Sequence, residues 1–296
     1  MSEENGELLD PSFRARLERL QVAVRKALPS SMRGDRRSPT RKGISLEFAD
    51  FRPYTAGDDV RHLDWSAWAR LDALIVKLFH DEEDLQVHLL VDDSASMRTG
   101  APEKALCSRR IASAMAWIGL CNGSRVSCAL LGDRPMRLNL LRGEAAIDRV
   151  LTFFSQPSLA CKRSLHRACE DYASAYSPHG VVILISDLLD PAGIGATLRS
   201  LIRRTTEIAV LHLLSPQDAN PDLEGEVRLL DSEDGPAVET SLTPARIEAY
   251  RATVRRFIAD CGETCLRRGV AFTSVLSDRP LEDLFLHDLQ KAGVLR

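Results

Sequence analysis

The run Leu85-Gln86-Val87-His88-Leu89-Leu90-Val91 ends in Asp92-Asp93-Ser94-Ala95-Ser96-Met97, and Val181-Val182-Ile183-Leu184-Ile185 ends in Ser186-Asp187. The second run is continuously apolar, the pattern of a strand covered on both faces of a parallel sheet. Each run stops abruptly on carboxylate and hydroxyl side chains.

Outward from these two runs, strand and helix patterns alternate. Pro102 to Cys121 carries apolar residues at several helical spacings. Val126 to Leu131 and Met136 to Leu141 flank the hairpin signal Gly132-Asp133-Arg134-Pro135. Helices are predicted at about 144–155 and 164–176, around Leu198-Leu201-Ile202, over 244–267 and over 281–289. Ile208 to Leu214 and Val270 to Leu276 read as further strands, and 226–241 as a short hairpin insertion. Such alternation predicts an α/β fold: a doubly wound, mostly parallel sheet with helices on both faces. In these sheets ligands bind beyond the carboxyl ends of the strands where strand order reverses, so the residues after Val91 and Ile185 matter most.

Ahead of this domain (84–296), Phe13, Leu17, Leu20 and Val24 recur at helical spacing and predict a helix over 12–28. Pro29 to Lys42 is Ser-, Pro- and Arg-rich and reads as a solvated basic linker, completing an N-terminal piece of residues 1–42. Residues 43–83 are β-like around Gly57-Asp58-Asp59 and form a subdomain too small to bury a core alone. In it, Trp65 and Trp68 are expected as core anchors, and Arg52, Asp58, Arg61, Asp64 and Arg70 as a structural ion-pair network.

Composition narrows the function classes. The net charge of -3 gives no reason to expect nucleic acid or an anionic membrane as main partner. Seven scattered cysteines, Cys261 and Cys265 among them, match no zinc or redox spacing and read as free thiols in a reducing compartment. No apolar signal core follows the acidic N-terminus, and the longest stretch without a charged residue, Tyr172 to Ser186, is shorter than the roughly 20 residues of a membrane helix. A cytoplasmic protein is expected.

Asp92-x-Ser94-x-Ser96 offers one carboxylate and two hydroxyls in a tight turn, all hard oxygen donors suited to Mg²⁺ or Mn²⁺. Asp187, from the neighbouring strand, would hold a coordinated water. Here the chain resembles a von Willebrand factor A-type domain with its metal-ion-dependent adhesion site. Position by position the resemblance assigns Asp92, Ser94 and Ser96 to the first loop and Asp187 to the last. The family's middle-loop Thr falls to Ser164, which keeps the hydroxyl and loses the methyl. The resemblance also implies an antiparallel third strand, which the hairpin at 132–135 would supply.

The preceding segment carries a second resemblance. Arg52-Pro53-Tyr54, Gly57-Asp58-Asp59-Val60-Arg61, Leu63-Asp64-Trp65, Ala69-Arg70 and Val76-Lys77 are similar to the signature of bacterial domain-of-unknown-function family 58. That resemblance implies association with a MoxR-type AAA+ ATPase in a chaperone-like or assembly role, in a short form without membrane helices.

Two other readings use the same residues. Asp and Ser are favoured at helix N-termini, so Asp92, Ser94, Ser96 and Asp187 could act only as caps. A metal-dependent hydrolase would instead gather Asp92, Asp93 and Asp187 around an activated water. There is no phosphate loop, dinucleotide fingerprint or nucleophile elbow, and hydroxyls around one ion provide no general base. A binding module, not an enzyme, is expected, its ion left open to a carboxylate from a protein partner; a scaffold with a vestigial ion site is the remaining alternative.

Overall fold

The computed structural model describes residues 8–23, 47–55, 63–71, 73–80, 85–133, 135–157, 163–203, 205, 207–222, 225–230 and 237–296. The chain divides into two compact units, one of Met1–Lys26 with Leu85–Arg296 and one of Ala27–Asp84. The N-terminal piece expected over 1–42 is thus shared between them.

The larger unit begins with α1 (Pro11–Leu17). This helix is shorter than the 12–28 the periodicity suggested. The chain leaves it so that Val22 can bridge Leu295 antiparallel, with Gln21 and Ala23 donating to the carbonyls of Arg296 and Val294 at 3.0 and 2.9 Å. Leu20 and Val22 are buried nonetheless. Val24 and the basic linker lie outside the described residues.

The smaller unit pairs β1 (Glu47–Pro53) antiparallel with β2 (Ile75–His80), with α2 (Trp65–Leu71) between them in sequence. Asp64 caps α2, its Oδ1 accepting from the amides of Ser66 and Ala67 at 2.9 and 3.1 Å. Leu63 bridges Val76, and both are buried. Trp65 and Trp68 are 58% and 47% exposed, which corrects their expected role as core anchors. Three apart on a short helix they share one face, and they pack edge to face on each other with centroids 6.1 Å apart. Of the expected charge network, Arg52 donates to the Pro53 carbonyl and the Thr55 hydroxyl, and Arg70 to the Ser66 carbonyl. Asp58 and Arg61 lie outside the described residues.

The larger unit continues with β3 (Gln86–Asp92), α3 (Lys104–Cys121), β4 (Arg125–Leu131), β5 (Met136–Leu141), α4 (Ile147–Phe154), α5 (Leu165–Tyr176), β6 (Val181–Ser186), α6 (Ile194–Ile202) and β7 (Glu207–Leu214). It closes with α7 (Pro216–Ala219), the hairpin β8 (Gly225–Leu229) and β9 (Val238–Leu242), α8 (Pro244–Leu266), β10 (Ala271–Leu276) and a helical segment over 281–291. Its six-stranded sheet has the order β10-β7-β6-β3-β4-β5, parallel except for β5. This is the predicted doubly wound sheet, with the antiparallel edge strand the hairpin was expected to supply.

Strand alternation sorts side chains between two cores, as the period of two requires. Val87, Leu89, Val91, Val181, Ile183, Ile185, Leu211 and Leu213 pack with α1, α3, α4 and the C-terminal segment. Leu90, Leu131, Val182, Leu184 and Val210 pack with α5, α6 and α8. α3 is buried on nearly every side, which is why its apolar residues follow several spacings at once. Among the described residues, no helix is long and apolar enough to cross a membrane.

Candidate functional site

Strand order reverses between β3 and β6, whose ends are in register, Val91 opposite Ile185. Asp92 closes β3, and Ser186 closes β6. The Asp92 carboxylate accepts from the Ser94 amide at 3.0 Å on Oδ1 and from the Ser186 hydroxyl at 2.5 Å on Oδ2. The Ser94 and Ser96 hydroxyls lie 3.0 Å apart, one donating to the other. A single 3₁₀ turn, Ala95–Arg98, starts after Ser94, yet the Ser94 side chain does not cap it. The caps-only reading therefore does not describe Ser94. Asp92, Ser94, Ser96 and Asp187 are all buried. Burial, and then the nearby charge of Asp187, push the Asp92 carboxyl up to about 7.

Asp187 meets a cation that belongs to the chain. The Lys104 ammonium, at the first turn of α3, lies 3.0 Å from Asp187 Oδ2 and 2.7 Å from Asp218 Oδ2. Burial alone would lower the pKa of this lysine; Asp187 and Asp218 reverse that and hold it above its ordinary value. The other Asp187 oxygen accepts from the Leu189 amide at 3.2 Å. His212 Nε2 lies 3.1 Å from the Asp187 carbonyl, which can only accept, so Nε2 carries the proton and Nδ1 accepts from Ser274 at 2.9 Å. Burial brings His212 down to about 4 and keeps it neutral. Asp218 is fixed in turn by a capping box with Ser215. Gly100, at φ +90°, lets the loop after the first motif press on Ser215, with which any Cβ at residue 100 would collide.

Ser164 precedes α5, and its hydroxyl donates to Asp190 Oδ2 at 2.7 Å, beside the His166 amide at 2.8 Å on the same oxygen. The first loop, Asp187 and Ser164 with Asp190 thus hang from the ends of β3 and β6 and the start of α5. Asp93 is buried: Arg109 donates to its Oδ1 at 3.1 Å and also to the carbonyls of Phe154 and Gln156 at 3.2 and 2.6 Å. Arg109 thereby links Asp93 to the end of α4.

As a donor set for Mg²⁺ or Mn²⁺, buried carboxylates and a hydroxyl pair not spent on capping fit in type. Among the described residues no group of three or more His, Cys, Asp and Glu side chains is arranged to hold an ion, so any site here relies on the serines. Cys261 and Cys265 are buried thiols, pushed up by burial to about 11 and about 12.

Lys104, Asp218, His212, Asp190 and Arg109 were not anticipated from the sequence. Lys104 alone left a signal: a lysine in the first turn of a helix opposes the helix dipole and calls for a nearby anion. The others are joined to the site only by the packing of α3, α5 and β7 around the strand ends.

Uncharacterized proteins of Mycobacterium tuberculosis and Mycobacterium bovis are each 29% identical over 278 residues, covering 88% of this chain and 86% of their own. Among solved structures, an aerotolerance-related membrane protein from Bacteroides fragilis aligns with 70% of this chain and 98% of its own at 16% identity and a TM-score of 0.44. The manganese-loaded TRAP protein of Plasmodium vivax aligns with 44% of this chain and 57% of its own at 18% identity and a TM-score of 0.33. The family described as protein of unknown function DUF58 matches residues 50–259, most of the chain, and the protein belongs to that family.

Proposed function

We propose that this protein is a metal-ion-dependent protein-binding module of the von Willebrand factor A type rather than an enzyme. Asp92, Ser94 and Ser96 would hold one Mg²⁺ or Mn²⁺ ion, Asp187 would act through a water, and Ser164 would add its hydroxyl when released from Asp190. The bound ion would supply positive charge at an open coordination position for a carboxylate of the partner. The observation that carries this reading is the buried pair of serine hydroxyls 3.0 Å apart beside the Asp92 carboxylate at the sheet's reversal point. The hydrolase reading draws less support, because Asp93 faces Arg109. The partner proposed is a MoxR-type AAA+ ATPase in the cytoplasm, on the strength of the family signature around Arg52 to Lys77.

Calorimetry with Mg²⁺ and Mn²⁺ on wild type and Asp92→Ala tests the ion. Heat for the wild type alone is expected, and none for either protein ends the claim. Affinity capture from the native cell, with and without EDTA, tests the partner: an acidic-surfaced protein released by EDTA is expected, and complexes indifferent to both EDTA and Asp92→Ala would place recognition elsewhere.

A further inference from the structure

A lysine with no exposed surface needs an explanation, because burying an ammonium costs several kcal/mol unless it is paired. Lys104 is 0% exposed, and the carboxylates of Asp187 and Asp218 lie against its ammonium at 3.0 and 2.7 Å. Three elements converge on it: the start of α3, the end of β6 and α7. Asp187 is the carboxylate that the ion reading assigns to the second loop, so a divalent ion and Lys104 share one anion.

We infer that Lys104 is the resident counter-ion of this site: its ammonium holds the Asp187 and Asp218 loops together without a divalent ion, and sets how tightly an ion can be held. The second half rests on the ion-binding reading above; the first does not. With Lys104 in place, shared between two carboxylates, the Asp187 charge is partly neutralised, so the site offers an incoming ion less than the full charge of Asp92 and Asp187. An ion that draws on Asp187 must move Lys104 towards Asp218. Asp218 sits in the capping box of α7 and its carbonyl accepts from Tyr250 of α8 at 2.8 Å. Ion occupancy would therefore be felt at α7 and at the α8 surface, a route from the ion to a distant face.

The full chain, wild type and Lys104→Met, is melted in EDTA and titrated with Mg²⁺ by calorimetry. In EDTA the wild type should keep the melting temperature it has in Mg²⁺ to within a few degrees, while Lys104→Met falls by roughly 6–20 °C. Lys104→Met/Asp187→Asn should recover part of that loss, because the unpaired carboxylate has gone; a merely space-filling lysine would show no such recovery. Mg²⁺ should bind Lys104→Met about tenfold or more tightly than wild type, as removal of a neighbouring positive charge predicts. Asp218→Asn, which leaves Lys104 to Asp187 alone, should weaken Mg²⁺ binding and serves if Lys104→Met does not fold. A wild type that loses as much stability in EDTA as Lys104→Met does, or a double variant no better than the single, overturns the counter-ion role. Equal Mg²⁺ affinity in wild type, Lys104→Met and Asp218→Asn overturns the control of affinity. Absence of heat from every variant removes the ion reading and the affinity half with it, and the melts still decide the counter-ion half.

Discussion

Asp92 and Ser186 close neighbouring parallel strands, and the serine hydroxyl donates to the carboxylate at 2.5 Å with both residues buried. Burial and the charge of Asp187 raise Asp92 from 3.8 to about 7. In the metal-free protein the folded state then binds a proton more tightly than the unfolded chain. Its contribution to stability is present at low pH and is lost as pH rises from about 4 towards about 7. Urea melts in EDTA across that range should show this decline, and Asp92→Asn should flatten it. An unchanged slope in Asp92→Asn would assign the decline to another group.

Metal affinity should run the other way. A proton on Asp92 competes with a divalent ion, so Mg²⁺ binding should strengthen from about pH 5 to about pH 7 and release protons, detectable as a buffer-dependent heat. Binding that is independent of pH and buffer would mean that Asp92 is not a ligand.

Arg109 ties Asp93 to the carbonyls after α4, and both side chains are buried. Arg109→Met takes the guanidinium away from a buried carboxylate, at a cost of about 3–5 kcal/mol. Arg109→Lys should recover only part of it, since an ammonium cannot reproduce the guanidinium's fork. Chemical denaturation of the three proteins decides this, and a loss below about 1 kcal/mol in Arg109→Met would show that the pairing contributes little.

Ser164 donates to Asp190 rather than waiting free for an ion. Ser164→Ala should cost about 1 kcal/mol of stability by unmaking that bond, and should weaken Mg²⁺ binding only in part. Ser164→Thr should keep both. A Ser164→Ala protein that binds Mg²⁺ like wild type would remove Ser164 from the ligand set.

Trp65 and Trp68 are exposed, whereas Trp117 is 7% exposed and donates its indole N–H to the Arg14 carbonyl at 3.1 Å. Acrylamide should quench most of the protein's fluorescence, leaving a protected component that disappears in Trp117→Phe. Trp65→Ala should cost no more than the roughly 0.5–1.5 kcal/mol of an aromatic pair. Quenching confined to one tryptophan would contradict the exposed pair.

The sheet and the first-loop motif were legible because their causes are local. Apolar runs long enough for a buried strand, such as Val181 to Ile185, can be satisfied only between two helical layers, and the hairpin signal between Leu131 and Met136 foretells that β5 returns against β4. Asp92, Ser94 and Ser96 are three alternate residues of one turn, so their company is written in their spacing. The N-terminal helix and the tryptophans were misjudged because periodicity reports a shared face but not what covers it. Val22 joins Leu295 across nearly the whole chain, and the face carrying Trp65 and Trp68 stays open. The charge balance of the site belongs to the tertiary structure, since a lysine in the first turn of a helix asks for an anion without saying which. Lys104, Asp187 and Asp218 stand on three separate elements, and only the converging ends of α3, β6 and α7 bring an ammonium within 3.0 Å of the carboxylate that motif reading had reserved for a metal ion. Coulomb attraction acts through space, so no spacing along the chain could have announced it.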